Sequence, residues 1–177
     1  MVFSLIAAVC FFTACKSDPP YDRSTQLAID RDSIAKFIKA NNLTDIKETS
    51  QGLFYQVLKE GTGTRTAHLV DSLKVHYVGK IMSTQLYFDS TTNNVDTIAT
   101  KFLLTDAIEG WQLGIPLIKE GGRIRLIVPS TLAYQNKSLS TLVKSNSILD
   151  FDIQFIKLIT PDEFYIKNRT TLLTTYK

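Results

Sequence analysis

From Ile148 to Leu158 the chain alternates: Leu149, Phe151, Ile153 and Phe155 take every second position, with Asp150 and Asp152 between the first three. A period of two over this length specifies a long strand with one buried face, and such a strand requires neighbours. Leu73, Val75 and Tyr77 alternate with Lys74 and His76 in a half-buried strand expected to end at Gly79. Arg123 to Val128 alternates basic and apolar residues until Pro129 stops it. Leu53 to Leu58, Gln85 to Phe88 and Phe102 to Leu104 are further extended runs, with turns at Glu60-Gly61-Thr62-Gly63 and Gly121-Gly122. One short internal helix is expected over Asp106 to Leu113; it carries the only tryptophan, Trp111, between Gly110 and Gly114. Many strands and one internal helix predict an α+β domain in which an antiparallel sheet wraps a short helix.

Helical extensions are expected at both ends. Ser24 is placed to cap an N-terminal helix with apolar positions Leu27, Ile34, Phe37 and Ile38, ended by Asn41-Asn42. That helix reads as a spacer or small subdomain, or alternatively as a dimerisation helix. Thr160-Pro161-Asp162-Glu163 is a capping box with proline at the first helical position, which predicts a helical tail over 161–177. The expected layout is a leader at 1–14, a tether and helix at 15–50, the main domain at 51–160, and the tail.

A hydrophobic content of 44% is enough for a core, and a net charge of +3 from 20 basic and 17 acidic residues comes without a basic face. Nucleic acid is therefore not an expected partner. Gly61-Thr62-Gly63 lacks the Gly-Lys-Ser/Thr continuation of a phosphate loop. With two histidines, His68 and His76, and no thiol past Cys15, neither a metal site nor a cysteine nucleophile is expected. His76, between Val75 and Tyr77, reads as structural or solvent-facing. Asp106 and Glu109 read as first-turn helix charges. Asp150 and Asp152 lie opposite the Phe151 face, solvated or paired with Arg123 and Arg125.

Val2 to Ala14 is apolar and too short to span a bilayer well. It closes on Phe12-Thr13-Ala14-Cys15, which resembles the lipobox of bacterial lipoproteins, although Phe12 stands where leucine is usual and no basic residue precedes the run. The resemblance implies cleavage before Cys15, lipid on that residue, a membrane partner through it, and a place in the bacterial cell envelope. A simple secretory signal or a membrane-anchored stub is the alternative. Cys10 would leave with the leader.

Five further pieces stand in one order: Val75-His76-Tyr77-Val78-Gly79, Phe88-Asp89-Ser90, Phe102-x-Leu104 running to Ala107-Ile108-x-Gly110-Trp111, Leu132-Ala133-Tyr134, and Leu149-x-Phe151-Asp152-Ile153. Together they resemble the FKBP-type peptidyl-prolyl cis-trans isomerases over about Gly52 to Ile159. The resemblance implies a proline pocket with Trp111 as floor and Tyr77, Phe88 and Phe151 as walls. Ala107 stands where valine is usual, and the Ile108 N–H is a ligand donor. Asp89 and Tyr134 lie at the rim, so Asp89, Tyr134 and Tyr77 are the candidate catalytic groups. Proline-containing exported polypeptides are the implied substrates, and macrolides such as FK506 the implied ligands. Three departures stand out: Thr100 where many members present an aromatic wall, Gln135 in place of the usual glycine, and Lys144-Ser145 in place of a common Pro-Pro. Two functions follow, a prolyl isomerase assisting the folding of exported proteins, or a binding or chaperone module of this fold with little isomerase activity.

The chemistry suits these residue types. Rotation about an Xaa–Pro bond faces a barrier of roughly 18–20 kcal/mol, set by amide resonance. Twisting removes that resonance and reduces the carbonyl dipole, so an apolar pocket disfavours the planar amide relative to the twisted one. No nucleophile, metal or cofactor is required. A donor or oriented dipole at the rim can then favour the twisted geometry.

Overall fold

The computed structural model describes residues 21–91 and 99–159. The readings of 1–14, Cys15 and the tail helix at 161–177 fall outside the described residues. The expected α+β architecture is present. Among the described residues seven strands form one antiparallel sheet: β1 (Lys47–Glu48), β2 (Phe54–Lys59), β3 (Ser72–Ile81), β4 (Tyr87–Ser90), β5 (Thr100–Leu103), β6 (Arg123–Val128) and β7 (Leu149–Ile159). Their order is β1-β2-β6-β7-β3-β4, and β5 also pairs with β3. The two longest strands lie side by side, paired from Ser72 opposite Ile159 to Ile81 opposite Leu149 with one register shift between Lys74 and Val75. Leu149, Phe151, Ile153 and Phe155 are buried on one face of β7, with Leu73 and Val75 of β3 in the same core.

Three strand limits differ from expectation by two residues, one being β5, which begins at Thr100 and not at Phe102. β3 does not end at Gly79 but runs through it to Ile81. A Cβ on Gly79 would lie 2.8 Å from the Phe151 ring and 2.9 Å from that of Phe88, so the glycine admits two aromatic rings rather than breaking the strand. β4 begins at Tyr87, because Gln85 adopts a left-handed φ of 58° in a tight turn and its amide donates to the Ile81 carbonyl at 2.8 Å.

The internal helix, α2 (Glu109–Gly114), also starts later than Asp106. Leu104–Asp106 form a 3₁₀ turn, and Ala107 and Ile108 are extended. The Gln112 side chain donates to the carbonyls of Ala107 at 2.8 Å and Thr105 at 3.2 Å, acceptors that a longer helix would have used internally. Gly110 and Gly114, four apart, share one helix face. A Cβ at either would collide with Val128 or Leu126 of β6, so the pair lets α2 lie directly on the sheet.

The N-terminal helix, α1 (Arg23–Ala40), is capped by Asp22 rather than Ser24. The Asp22 carboxylate accepts from the Thr25 hydroxyl, and from the Ser24 hydroxyl at 2.7 Å and amide at 2.9 Å, and these bonds, the one from Thr25 foremost, hold Asp22 down to about 2; a carboxylate is the stronger acceptor. The helix is not a spacer. Its Ile34 is buried among Phe54, Met82 and Ile127 on the outer face of the sheet, with Phe37 and Ile38 beside it. Among the described residues no helix is long and apolar enough to cross a membrane.

Candidate active site

Trp111 lies at the base of a cavity of about 310 Å³ between α2 and the concave face of the sheet. Each wall comes from a different element. Tyr77 stands on β3, Phe88 and Asp89 on β4, Phe151 on β7, and Ala107 and Ile108 on the extended segment before α2. Tyr134 follows a 3₁₀ turn at Ser130–Leu132. All eight residues expected to bind substrate therefore line one cavity.

The rings meet edge to face. Tyr77 and Trp111 are 5.0 Å apart between centroids at 78°, and Trp111 and Phe151 are 5.2 Å apart at 82°. Phe88 meets Phe151 at 5.6 Å and 76° across Gly79, the contact that the bare glycine permits. The indole N–H is buried without a polar partner among the described residues. Trp111 is thus a flat apolar floor held by rings and not by a hydrogen bond. Ile108 is the N-cap of α2. Its carbonyl accepts from the amides of Trp111 and Gln112, while its own N–H lies outside the helix ladder.

The rim is polar. The Tyr77 hydroxyl donates to Asp89 Oδ2 at 2.5 Å. Burial, and then this bond to a carboxylate, raises the Tyr77 phenol far above the ordinary range. Burial raises the Tyr134 phenol as well, with the Asp89 charge adding to it. Both phenols remain protonated at neutral pH, so they serve as donors and not as bases. His76 lies elsewhere: it belongs to the outward row of β3, with Nδ1 3.3 Å from Thr91 Oγ1. Among the described residues no three His, Cys, Asp or Glu gather as metal ligands.

Three further residues, Phe102, Thr100 and Asp106, line the cavity beside the expected eight. Phe102 forms a wall, its ring 5.5 Å from Trp111 and tilted by 53°. Thr100 also lines the cavity, so the aromatic expected at that position is supplied two residues later. Asp106 lines the rim instead of serving as a first-turn charge, a role that falls to Glu109, which pairs with Arg23 at 2.7 Å. Gln135 adopts the left-handed conformation, φ 56°, that a glycine would take without strain. The loop holding Lys144-Ser145 is tied down by buried Val143 and by a Ser145 amide bond to Ser138 Oγ at 2.9 Å.

Residues 63–156 match the family model for the FKBP-type peptidyl-prolyl cis-trans isomerase. The chain is 33% identical over 127 residues to a probable FKBP-type peptidyl-prolyl cis-trans isomerase FkpA of Neisseria meningitidis, across 71% of this chain and 45% of that one. It is 33% identical to a probable FKBP-type isomerase of Haemophilus influenzae, across 69% of this chain and 48% of the relative. The chain thus spans about half the length of these curated relatives. The crystal structure of FkpA from Escherichia coli superposes with a TM-score of 0.65 at 30% identity, covering 77% of this chain and 61% of that one. A peptidyl-prolyl cis-trans isomerase from Pseudomonas syringae superposes at 0.61 with 25% identity, covering 81% of this chain and 99% of its own. With the aromatic cage, the Tyr77–Asp89 rim and a family match over more than half of its length, this chain belongs to the FKBP-type peptidyl-prolyl cis-trans isomerase family.

Proposed function

We propose that the chain catalyses cis-trans isomerisation of Xaa-Pro bonds in exported polypeptides within the bacterial cell envelope, attached to a membrane through lipid on Cys15. The observation that carries the catalytic part is the cavity over Trp111, walled by Tyr77, Phe88, Phe102 and Phe151, with the Tyr77–Asp89 pair at its rim. A prolyl ring fits an apolar cage of this kind. The amide within it loses solvation that favours its planar, more polar form. The Ile108 N–H and the Tyr134 phenol offer donors to the substrate backbone, and Asp89, which accepts the Tyr77 hydrogen bond, supplies an oriented charge. No step requires a proton to leave an enzyme group. A protease-coupled assay on a Xaa-Pro peptide tests the reading, with acceleration expected and competition by a macrolide such as FK506 expected to remove it. An uncatalysed rate with folded protein would sink it.

The envelope part rests on the sequence before Lys16, the apolar run that closes on Thr13-Ala14-Cys15. Cys15→Ser should give a soluble protein or an uncut precursor on fractionation, since a stable anchor needs more than one acyl chain. A mature variant still bound to membrane would refute the lipid assignment. A second reading, a binding or chaperone module with little isomerase activity, is favoured by Gln135 in its left-handed conformation and the altered loop at Lys144-Ser145. Suppression of client aggregation without acceleration of the peptide would select it.

A further inference from the structure

Asp30 lies midway along α1 and is only 2% exposed. A carboxylate is seldom buried without strong partners. Those partners come from a hundred residues away: Oδ2 accepts from both the backbone N–H and the hydroxyl of Ser130, each at 2.7 Å. Gln26 Nε2 donates to the other oxygen at 2.8 Å. Ser130, fully buried, opens the 3₁₀ turn that leads to the cavity rim. Its carbonyl accepts from the amides of Ala133 at 3.0 Å and Gln135 at 2.9 Å, the two residues on either side of Tyr134. The Gln135 carbonyl then accepts from the Asn146 amide at 2.8 Å, which closes the loop. One side chain and one turn residue thus connect the outer helix to the phenol at the pocket. Apolar docking of α1 is already supplied by Ile34 among Phe54, Met82 and Ile127, and does not call for a buried charge.

We infer that Asp30 is a positioning residue for Tyr134: from the N-terminal helix its carboxylate fixes the Ser130 turn, and that turn presents the phenol to the substrate pocket. The kinetic consequence rests on the isomerase reading, whereas the ordering of the rim does not.

A double-mutant cycle on the full chain tests it, with every variant read where circular dichroism shows it folded. Asp30→Ala is expected to lower kcat/KM on a Xaa-Pro peptide by about fivefold in the wild-type background and by less than about twofold in Tyr134→Phe, because coupled positions are not additive. Ile34→Val, which loosens the same helix without touching Ser130, should leave kcat/KM within about twofold. Equal losses from Asp30→Ala in both backgrounds, or an equal loss from Ile34→Val, would overturn the inference. Amide exchange at Ala133 and Gln135 gives a second readout, expected to be about tenfold faster in Asp30→Ala and unchanged in Ile34→Val. Unchanged exchange in Asp30→Ala would also overturn it. Should Asp30→Ala fail to fold, Asp30→Asn keeps the shape and one acceptor oxygen, and exchange at the two amides should rise by about threefold, as a neutral acceptor holds donors less tightly; no rise would refute the role. A wild-type protein inactive on peptide would sink the isomerase reading alone and leave the exchange measurement to decide this one.

Discussion

On its inner side β7 contributes Phe151 to a cage of rings, and on its outer side it contributes Asp150 and Asp152 to two ion pairs. Arg125 grips Asp150 with two bonds of 2.9 and 2.6 Å, and Arg123 grips Asp152 at 2.7 and 2.6 Å. The first pair is largely covered, with Arg125 also 5.9 Å from the Phe37 ring of α1, whereas the second is open to solvent. The inner face is apolar and open to a ligand. The outer face is polar, and α1 covers part of it. The candidate site thereby draws on the inner side of β7, which also belongs to the main core, while the outer side holds the two ion pairs.

Substitutions on the two sides should separate along that line. Trp111→Ala deletes the floor, and loss of a large core aromatic costs about 3–5 kcal/mol. Urea unfolding should show that loss, and the peptide assay should show no catalysis from the folded fraction. Retained catalysis would place the site elsewhere. Arg125→Ala is the outer counterpart. It strands the buried Asp150 and should cost about 2–3 kcal/mol, yet leave kcat/KM within about twofold. Arg123→Ala, on the exposed pair, should cost under about 1 kcal/mol. A catalytic defect in Arg125→Ala would show that the two faces are not independent.

Tyr77→Phe keeps the ring and removes the donor to Asp89. The expected stability loss is about 1 kcal/mol, at the low end for a bond to a charged group because Asp89 is exposed. Catalysis should fall, and it should fall further in Asp89→Val, which removes the charge. The pH behaviour follows from the raised phenol. Its contribution to stability is fully present below the ordinary value of 10.0 and is lost as pH rises through the higher folded value. Wild-type melting temperature should therefore decline above about pH 10, and Tyr77→Phe should decline less steeply. Through pH 6 to 8 the catalytic rate should stay flat. A bell-shaped profile with an apparent pKa near the histidine reference of about 6.5 would implicate His76 and the outer face.

The smallest change is at Gln135. A left-handed non-glycine residue is strained by about 1–2 kcal/mol, so Gln135→Gly should raise the unfolding free energy, read from the urea midpoint, by about 1 kcal/mol, less the entropy that glycine returns to the unfolded chain. A lowered midpoint would show that the Gln135 side chain contributes more than its backbone strain removes.

The central strands were legible because burial of one face imposes alternation on the residues themselves. β7, β6 and most of β3 could be placed from Leu149 to Phe155, from Arg123 to Val128, and from Leu73 to Tyr77. The eight cavity residues were legible through motif order, each short piece being ambiguous alone. What the sequence could not decide has a common cause, which is that the deciding partner is remote in the chain. Gly79 looked like a strand end because the rings that need its missing Cβ belong to Phe88 and Phe151. The start of α2 depended on Gln112 reaching back to two carbonyls. Phe102 became a wall only when pairing of β5 with β3 brought it beside Trp111. Asp30 carries no local signal on its helix, because its partner Ser130 lies a hundred residues on. Local pattern determines which face of an element is apolar, since that depends on its own periodicity. Which element covers that face, and which polar group is buried with it, is decided by long-range packing.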